Sequence, residues 1–254
     1  MMPSMALADE PRTATYLQIA DTLAQRIARR RPGAQVESEH ELAGLFNVNR
    51  LTARAALDEL ERRFVVRRAR GRGTFVARRI VYRIGPDRTP SWTETVRQAG
   101  GSPRTENERI RPVPPPLWVR RELGLAEGDR ALLLQRRRWV DGELATWSAH
   151  YLRPDIVPAI ERRMGTESSL YQVLTGVYEL EPRRAWSRCE LEVAADPVAR
   201  QLGLRGREHV IVLRGRLDCA RLGRPVEVGV GYLRMDVFHV VYEYGPAPPE
   251  VPAA

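Results

Sequence analysis

From Tyr16 to Arg30, apolar residues recur at Tyr16, Ala20, Leu23 and Ile27, the spacing of one buried helical face, and Arg31-Pro32-Gly33 ends the pattern. A second, shorter helix is signalled by Ser38-Glu39-His40-Glu41. There the serine hydroxyl can accept from the amide of Glu41 while the Glu41 carboxylate reaches back, and Leu42, Leu45 and Phe46 follow. Asn47-Val48 makes the turn, and Asn49 is a good N-cap for a third helix carrying Ala53, Ala56, Leu57 and Leu60 on its buried stripe. Two helices a tight turn apart predict a helix-turn-helix. After Glu61 the period changes: Phe64 to Arg68 and Thr74 to Val76 read as strands bracketing Ala69-Arg70-Gly71-Arg72-Gly73, a hairpin wing.

The pattern then loosens. Ile80 to Ser91, with Gly85, Pro86 and Pro90, reads as a connector between a first domain over 14–79 and a second over 92–244. Pro112, Pro114, Pro115 and Pro116 mark an extended loop inside the second domain, and a helix follows over Leu117 to Glu122. A faint repeat runs through this domain. Leu123-Gly124-Leu125, then Ala131 to Leu134 and Arg136-Arg137-Arg138, resembles Leu202-Gly203-Leu204, then Val210 to Leu213 and Arg214-Gly215-Arg216. Asp141-Gly142 turns the first strand into Thr146 to Leu152, and Leu222 to Pro225 turns the second into Val226 to Leu233. The expectation is an antiparallel sheet with flanking helices, an α+β domain. The Pro- and Ala-rich tail, 245–254, reads as disordered.

Charge sharpens this picture at one end. The chain has 254 residues and a net charge of +9, and all 41 of its basic residues are arginine. Residues 1–79 hold 15 arginines against 9 acids, and 62–79 hold 8 arginines and no acid, so the positive excess concentrates where the wing is expected. Cys189 and Cys219 are too few for a disulfide scaffold and have no metal-ligand spacing with a histidine. No stretch approaches the roughly 18 apolar residues of a membrane span, and the expectation is a soluble, cytoplasmic protein needing no cofactor.

The chemistry follows from position. Asn49, Arg50, Thr52 and Arg54 fall in the first turns of the third helix, where a recognition helix meets base edges and phosphates. Arginine can fork onto guanine O6 and N7, and threonine can bond a phosphate or touch a thymine methyl. Arg70 and Arg72 alternate with Gly71 and Gly73, which permit close backbone approach while the guanidiniums reach a minor groove or phosphates. Double-stranded DNA is therefore the expected partner, bound with a steep salt dependence. Arg136 and Arg138, two apart on a strand, project from one face and can clamp an anion together, although a solvated sheet face has the same pattern.

Tyr16 to Ala20, Glu39 to Ala43, Asn49 to Leu57 and Gly71 to Val76 occur in an order and spacing that resemble the DNA-binding domain of the GntR superfamily. Trp92-Thr93, Arg136, Arg138, Asp141-Gly142, Tyr151, Ser169-Leu170-Tyr171, Leu202-Gly203, Pro225-Val226-Glu227 and Arg234 with Asp236 resemble the UTRA domain of its HutC subfamily. The resemblance implies a winged helix-turn-helix followed by a chorismate-lyase-like effector domain. It further implies a homodimeric regulator, usually a repressor, whose hold on a short palindromic operator is changed by a small molecule. His40 stands where the family commonly has arginine, which weakens one DNA contact or makes it pH-dependent. The start Val48-Asn49-Arg50 is similar to regulators of phosphonate utilisation. Ser148 replaces a glutamate common in sugar-phosphate-responsive members, which counts against an amino-sugar phosphate. The effector residues so implied are Thr93, Arg136, Arg138, Ser148, Tyr151, Ser169, Glu227 and Arg234, around a phosphorylated or carboxylated metabolite. Two alternatives stand beside this: a second domain that only dimerises, and a lyase-like enzyme. The second is disfavoured because His40, His150, His209 and His239 form no triad or metal spacing.

Overall fold

The computed structural model describes residues 15–69, 71–85, 91–108, 110–165, 169–204 and 208–245, and the chain divides after Arg78 into two compact units. The expected contact residue Arg70 and residues 246–254 of the expected tail lie outside the described residues.

The first unit runs α1 (Thr15–Ile27), β1 (Gln35–Val36), α2 (Glu39–Phe46), α3 (Arg50–Arg62), β2 (Val66–Ala69) and β3 (Gly73–Val76). The three strands form an antiparallel sheet in the order β1-β3-β2. Ile19, Ala20, Leu23 and Ile27 of α1, Leu42 of α2 and Ala53, Ala56, Leu57 and Leu60 of α3 build one core with Val36, Val66 and Val76. Each large aliphatic side chain buried there contributes about 1.5–3 kcal/mol. The Ser38 capping box forms in full, and Asn47 closes α2 in the left-handed region at φ 51°. The first wing strand begins two residues later than the apolar run suggests, because Phe64 takes φ 58° in a turn after α3.

Asn49 caps α3, its Oδ1 accepting from Thr52 N at 2.9 Å and Thr52 Oγ1 at 3.1 Å. Asn49→Ala is expected to cost about 1 kcal/mol of stability, and Asn49→Asp, which keeps the acceptor, to cost little. Urea denaturation of the two variants checks this; equal midpoints would remove the cap from the account.

The second unit runs β4 (Ile80–Ile84), α4 (Trp92–Gln98), β5 (Pro103–Asn107), β6 (Arg111–Val113), α5 (Leu117–Leu123), β7 (Ala131–Val140) and β8 (Glu143–Leu152). It continues with α6 (Ile160–Arg163), α7 (Leu170–Gly176), β9 (Pro182–Val193), α8 (Asp196–Leu202), β10 (His209–Cys219), β11 (Arg224–Arg234) and β12 (Phe238–Tyr242). A seven-stranded sheet has the order β5-β7-β8-β11-β10-β9, with β6 also paired to β7, and all its pairings are antiparallel. The sequence repeat is a structural one. Helix α5 feeds the hairpin β7-β8, helix α8 feeds the hairpin β10-β11, and the hairpins join through β8 and β11 in mid-sheet. Gly124 and Gly203 end the two helices in matching left-handed conformations, at φ 62° and 65°.

Two expectations change. The stretch expected as a connector starts with a strand: β4 pairs in parallel with β12, Ile80 opposite Phe238 and Ile84 opposite Tyr242. Pro112, expected in a loop, sits in β6 opposite Leu132 at the sheet margin, where a proline forfeits no ladder bond that matters.

Candidate nucleic-acid interface and buried pocket

In the first unit the capped start of α3 presents its charged side chains outward. Arg50 and Arg54 are 70% and 60% exposed and, among the described residues, are ion-paired with Glu39 of α2 alone, at 3.8 Å each, so both guanidiniums remain available. Leu51 between them is 77% exposed, an apolar residue suited to a thymine methyl that the charge-based reading passed over. Thr52 gives its hydroxyl to Asn49, which leaves it an acceptor role and its methyl. Exposed His40 and Arg50 border one groove with Gln35, Glu39, Arg68, Gly71 and Gly73, so helix and wing residues converge on it. Gly71 and Gly73 take φ 72° and 111°, conformations a side chain would strain, and Arg72 lies over the Phe75 ring at 6.0 Å. Arg68, part of the arginine-rich wing though not among the singled-out contact residues, is tied to Asp58 at 2.7 Å and extends the basic rim.

The second unit holds a cavity of about 120 Å³, room for several waters or a small headgroup, between the sheet, β4, α4 and α7. Strand alternation sets its chemistry, because every second residue of β7, β8 and β11 faces it. Arg136 lies opposite Ser148, and Ser148 opposite Gly231; Arg138 lies opposite Thr146; His150 lies opposite Gly229, and Gly229 opposite Gly215. All of these residues line the cavity together with Thr93, Ser169, Glu227 and Arg184. Glycines at 215, 229 and 231 thus leave gaps between the side chains of the floor, the use of glycine in a strand where something must come close.

Arg136 and Arg138 are 5% and 8% exposed. Arg136 Nε donates to Asn107 Oδ1 at 2.8 Å, and Arg138 sits over the Trp92 ring at 5.4 Å. Burial pushes the Arg136 pKa well below the arginine range, with repulsion from Arg138 adding to it, and burial lowers Arg138 to about 10, still cationic at neutral pH. Glu227, a buried carboxylate of the same cavity, is 2.7 Å from His150 Nδ1. Thr146 Oγ1 and Trp92 Nε1 are buried in the wall without a hydrogen-bond partner among the described residues, a cost that a polar occupant would relieve. Among the described residues no group of three or more His, Cys, Asp or Glu converges to hold a metal ion, and no helix is long and apolar enough to cross a membrane.

Six of the eight expected pocket residues therefore meet: Thr93, Arg136, Arg138, Ser148, Ser169 and Glu227. Tyr151 and Arg234 do not. Both are out of phase with their pocket-facing neighbours: Tyr151 packs on the other side of the sheet near Val119 and Leu123, and Arg234 is bound to Asp236 and the Leu144 carbonyl. His150 was missed. It was weighed only as part of a triad or metal site and set aside for want of a spacing, yet its place two residues after Ser148 puts it on the same face.

The family of bacterial regulatory proteins named gntR matches residues 15–76, and the UTRA domain family matches residues 98–239. The HTH-type transcriptional regulator Rv0792c of Mycobacterium tuberculosis is 32% identical over 85% of this chain and 81% of its own. The HTH-type transcriptional regulator GgaR of Escherichia coli K12 is 26% identical over 91% of each. Among solved structures, PhnF from Mycobacterium smegmatis superposes with a TM-score of 0.64 at 23% identity, covering 90% of this chain and 100% of that one, a likeness of fold.

Proposed function

Given a chain that belongs to the GntR family of bacterial regulatory proteins and carries a UTRA domain behind its DNA-binding region, we propose that it is a cytoplasmic, homodimeric repressor controlled by a small anionic metabolite. That it regulates transcription and is not an enzyme follows from its family and from the regulators it resembles. In the proposed complex Arg50, Leu51 and Arg54 read base edges. Asn49, Thr52 and His40 approach the backbone beside them, and Arg70 to Gly73 of the wing reach phosphates or the minor groove. Two copies meet a two-fold operator whose half-sites lie about one helical turn apart.

The observation that supports the effector reading is a cavity lined on one strand face by two buried arginines, with the hydroxyls of Thr93, Ser148 and Ser169 around the same space. Guanidinium groups side by side on a strand suit the oxygens of a phosphate or carboxylate, which they bind by charge-assisted hydrogen bonds. Ser148, Ser169 and Thr93 supply hydroxyls around that anion, and Glu227 turns toward a donor elsewhere on the ligand. A domain that served only to dimerise would have no use for this arrangement.

The test is a thermal-shift screen of the full chain with phosphate esters, phosphonates and di- and tricarboxylates, followed by operator binding. A ligand present at 100 times its Kd should add about 2.7 kcal/mol of stability and change operator affinity. If no anionic metabolite raises the melting temperature, the dimerisation-only reading gains the ground.

A further inference from the structure

Three polar atoms in the lining of the buried cavity have no hydrogen-bond partner among the described residues: Trp92 Nε1 on α4, Thr146 Oγ1 on β8 and Arg184 Nε on β9. Other guanidiniums of the lining are engaged. Arg136 donates to Asn107, Arg138 lies 3.3 Å from His150 Nε2, and Arg214 is paired with Glu190 and Glu192. Neither Trp92 nor Thr146 needs its polar atom for the fold. Thr146, 1% exposed, lies between Arg138 of β7 and Leu233 of β11, where valine has nearly the same shape and suits a strand as well. Trp92 packs on the Phe238 ring at 6.5 Å and carries Arg138 over its own ring, contacts that phenylalanine would also make. Burying either atom without a partner costs stability. The missing partner has a definite chemistry. An indole or guanidinium N–H only donates and a hydroxyl can donate, so an acceptor oxygen satisfies all three atoms, whereas an ammonium satisfies at most the hydroxyl.

We propose that Trp92 and Thr146 are specificity-determining contacts of this pocket, which favour an anion whose carbon body carries hydroxyl or carbonyl oxygens over one with a bare hydrocarbon body. The inference rests on the anion reading of the pocket and adds what lies beyond the charged group. Strand spacing separates the two tasks. Thr146 and Ser148 are two residues apart on β8, about 6.6 Å along the strand, so an oxygen at Thr146 belongs to a different part of the ligand from one at Ser148. An oxygen-bearing ligand supplies hydrogen bonds that the protein alone leaves unmade. A hydrocarbon analogue leaves them unmade in the complex too, which is how a buried polar group rejects a ligand lacking its partner.

Titration calorimetry of the full chain with two matched pairs, glycerol 3-phosphate against propyl phosphate and glycerate against propionate, separates the charged group from the body. In the pair whose charged group fits, the hydroxylated member should bind tighter by about fivefold to about 10²-fold. Thr146→Val should remove most of that preference while leaving the affinity of the unhydroxylated member within about twofold, and should raise the melting temperature of the ligand-free protein, because an unpaired buried hydroxyl is gone. Trp92→Phe should weaken the preference in the same direction. If both variants keep the full preference, or the unaltered chain shows none, the inference is overturned and the anion pocket stands. If none of the four compounds binds, both are overturned.

Discussion

Arg50→Ala combined with Arg54→Ala is expected to abolish recognition of the specific operator while leaving the fold intact. Each bidentate arginine–base contact contributes about 1–3 kcal/mol of discrimination, so losing two lowers specific affinity by about thirty-fold to about 10⁴-fold. The protein itself loses little, because both side chains are largely exposed and their ion pairs with Glu39 are long, at 3.8 Å. Fluorescence anisotropy with operator and scrambled duplexes separates the terms. Specific binding should fall to the non-specific level, and non-specific binding should decline only through two lost charges and carry a shallower salt slope. Operator affinity unchanged in the double variant would take the reading role away from the start of α3.

Arg136→Met combined with Arg138→Met is the second large effect, and it should dissociate sensing from DNA binding. Charge-assisted hydrogen bonds contribute about 1.5–3 kcal/mol each, so effector affinity drops by about 10²-fold to about 10⁴-fold. Methionine fills much of the same volume, and the melting temperature of the ligand-free double variant, measured alongside, separates lost sensing from lost folding. Operator affinity without effector should stay within about twofold of the unaltered protein, since these residues belong to the second unit and α3 to the first. The check is an operator titration with and without the stabilising ligand found in the thermal screen. A double variant that still responded at the same ligand concentration would remove the arginine pair from the effector site.

The parts legible in the sequence are those whose causes are local. Ser38 with Glu41, and Asn49 with Thr52, are caps written within four residues, and the Ala53, Ala56, Leu57 and Leu60 stripe is one helix face, so the helix-turn-helix could be read directly. Asp141-Gly142 encodes its hairpin for the same reason. Strand β4 was not legible, because its partner β12 lies more than 150 residues away and a parallel pair leaves no turn signal. The two residues of β1 are too few to show any period. In the pocket, resemblance named the region but strand parity decided membership. Tyr151 and Arg234 fall on the wrong phase, and His150 falls on the right one. His150 gains its meaning only when Glu227, 77 positions away in the chain, arrives beside it.

The three glycines of the pocket floor are not equivalent, and the difference sets how this receptor can be retuned. At Gly229 a methyl would collide with the Glu227 carboxylate at 2.5 Å, so that position is closed while the acid and the histidine remain. At Gly231 the same methyl would rest 3.5 Å from a Leu233 methyl and 3.8 Å from Ser148 Cβ, ordinary contacts that call for no rearrangement. One floor tile is fixed and the neighbouring one is free. A lineage, or an engineer building a biosensor, can raise the floor one carbon at a time at residue 231 and change the size of the admitted ligand without disturbing the groups that read its charge.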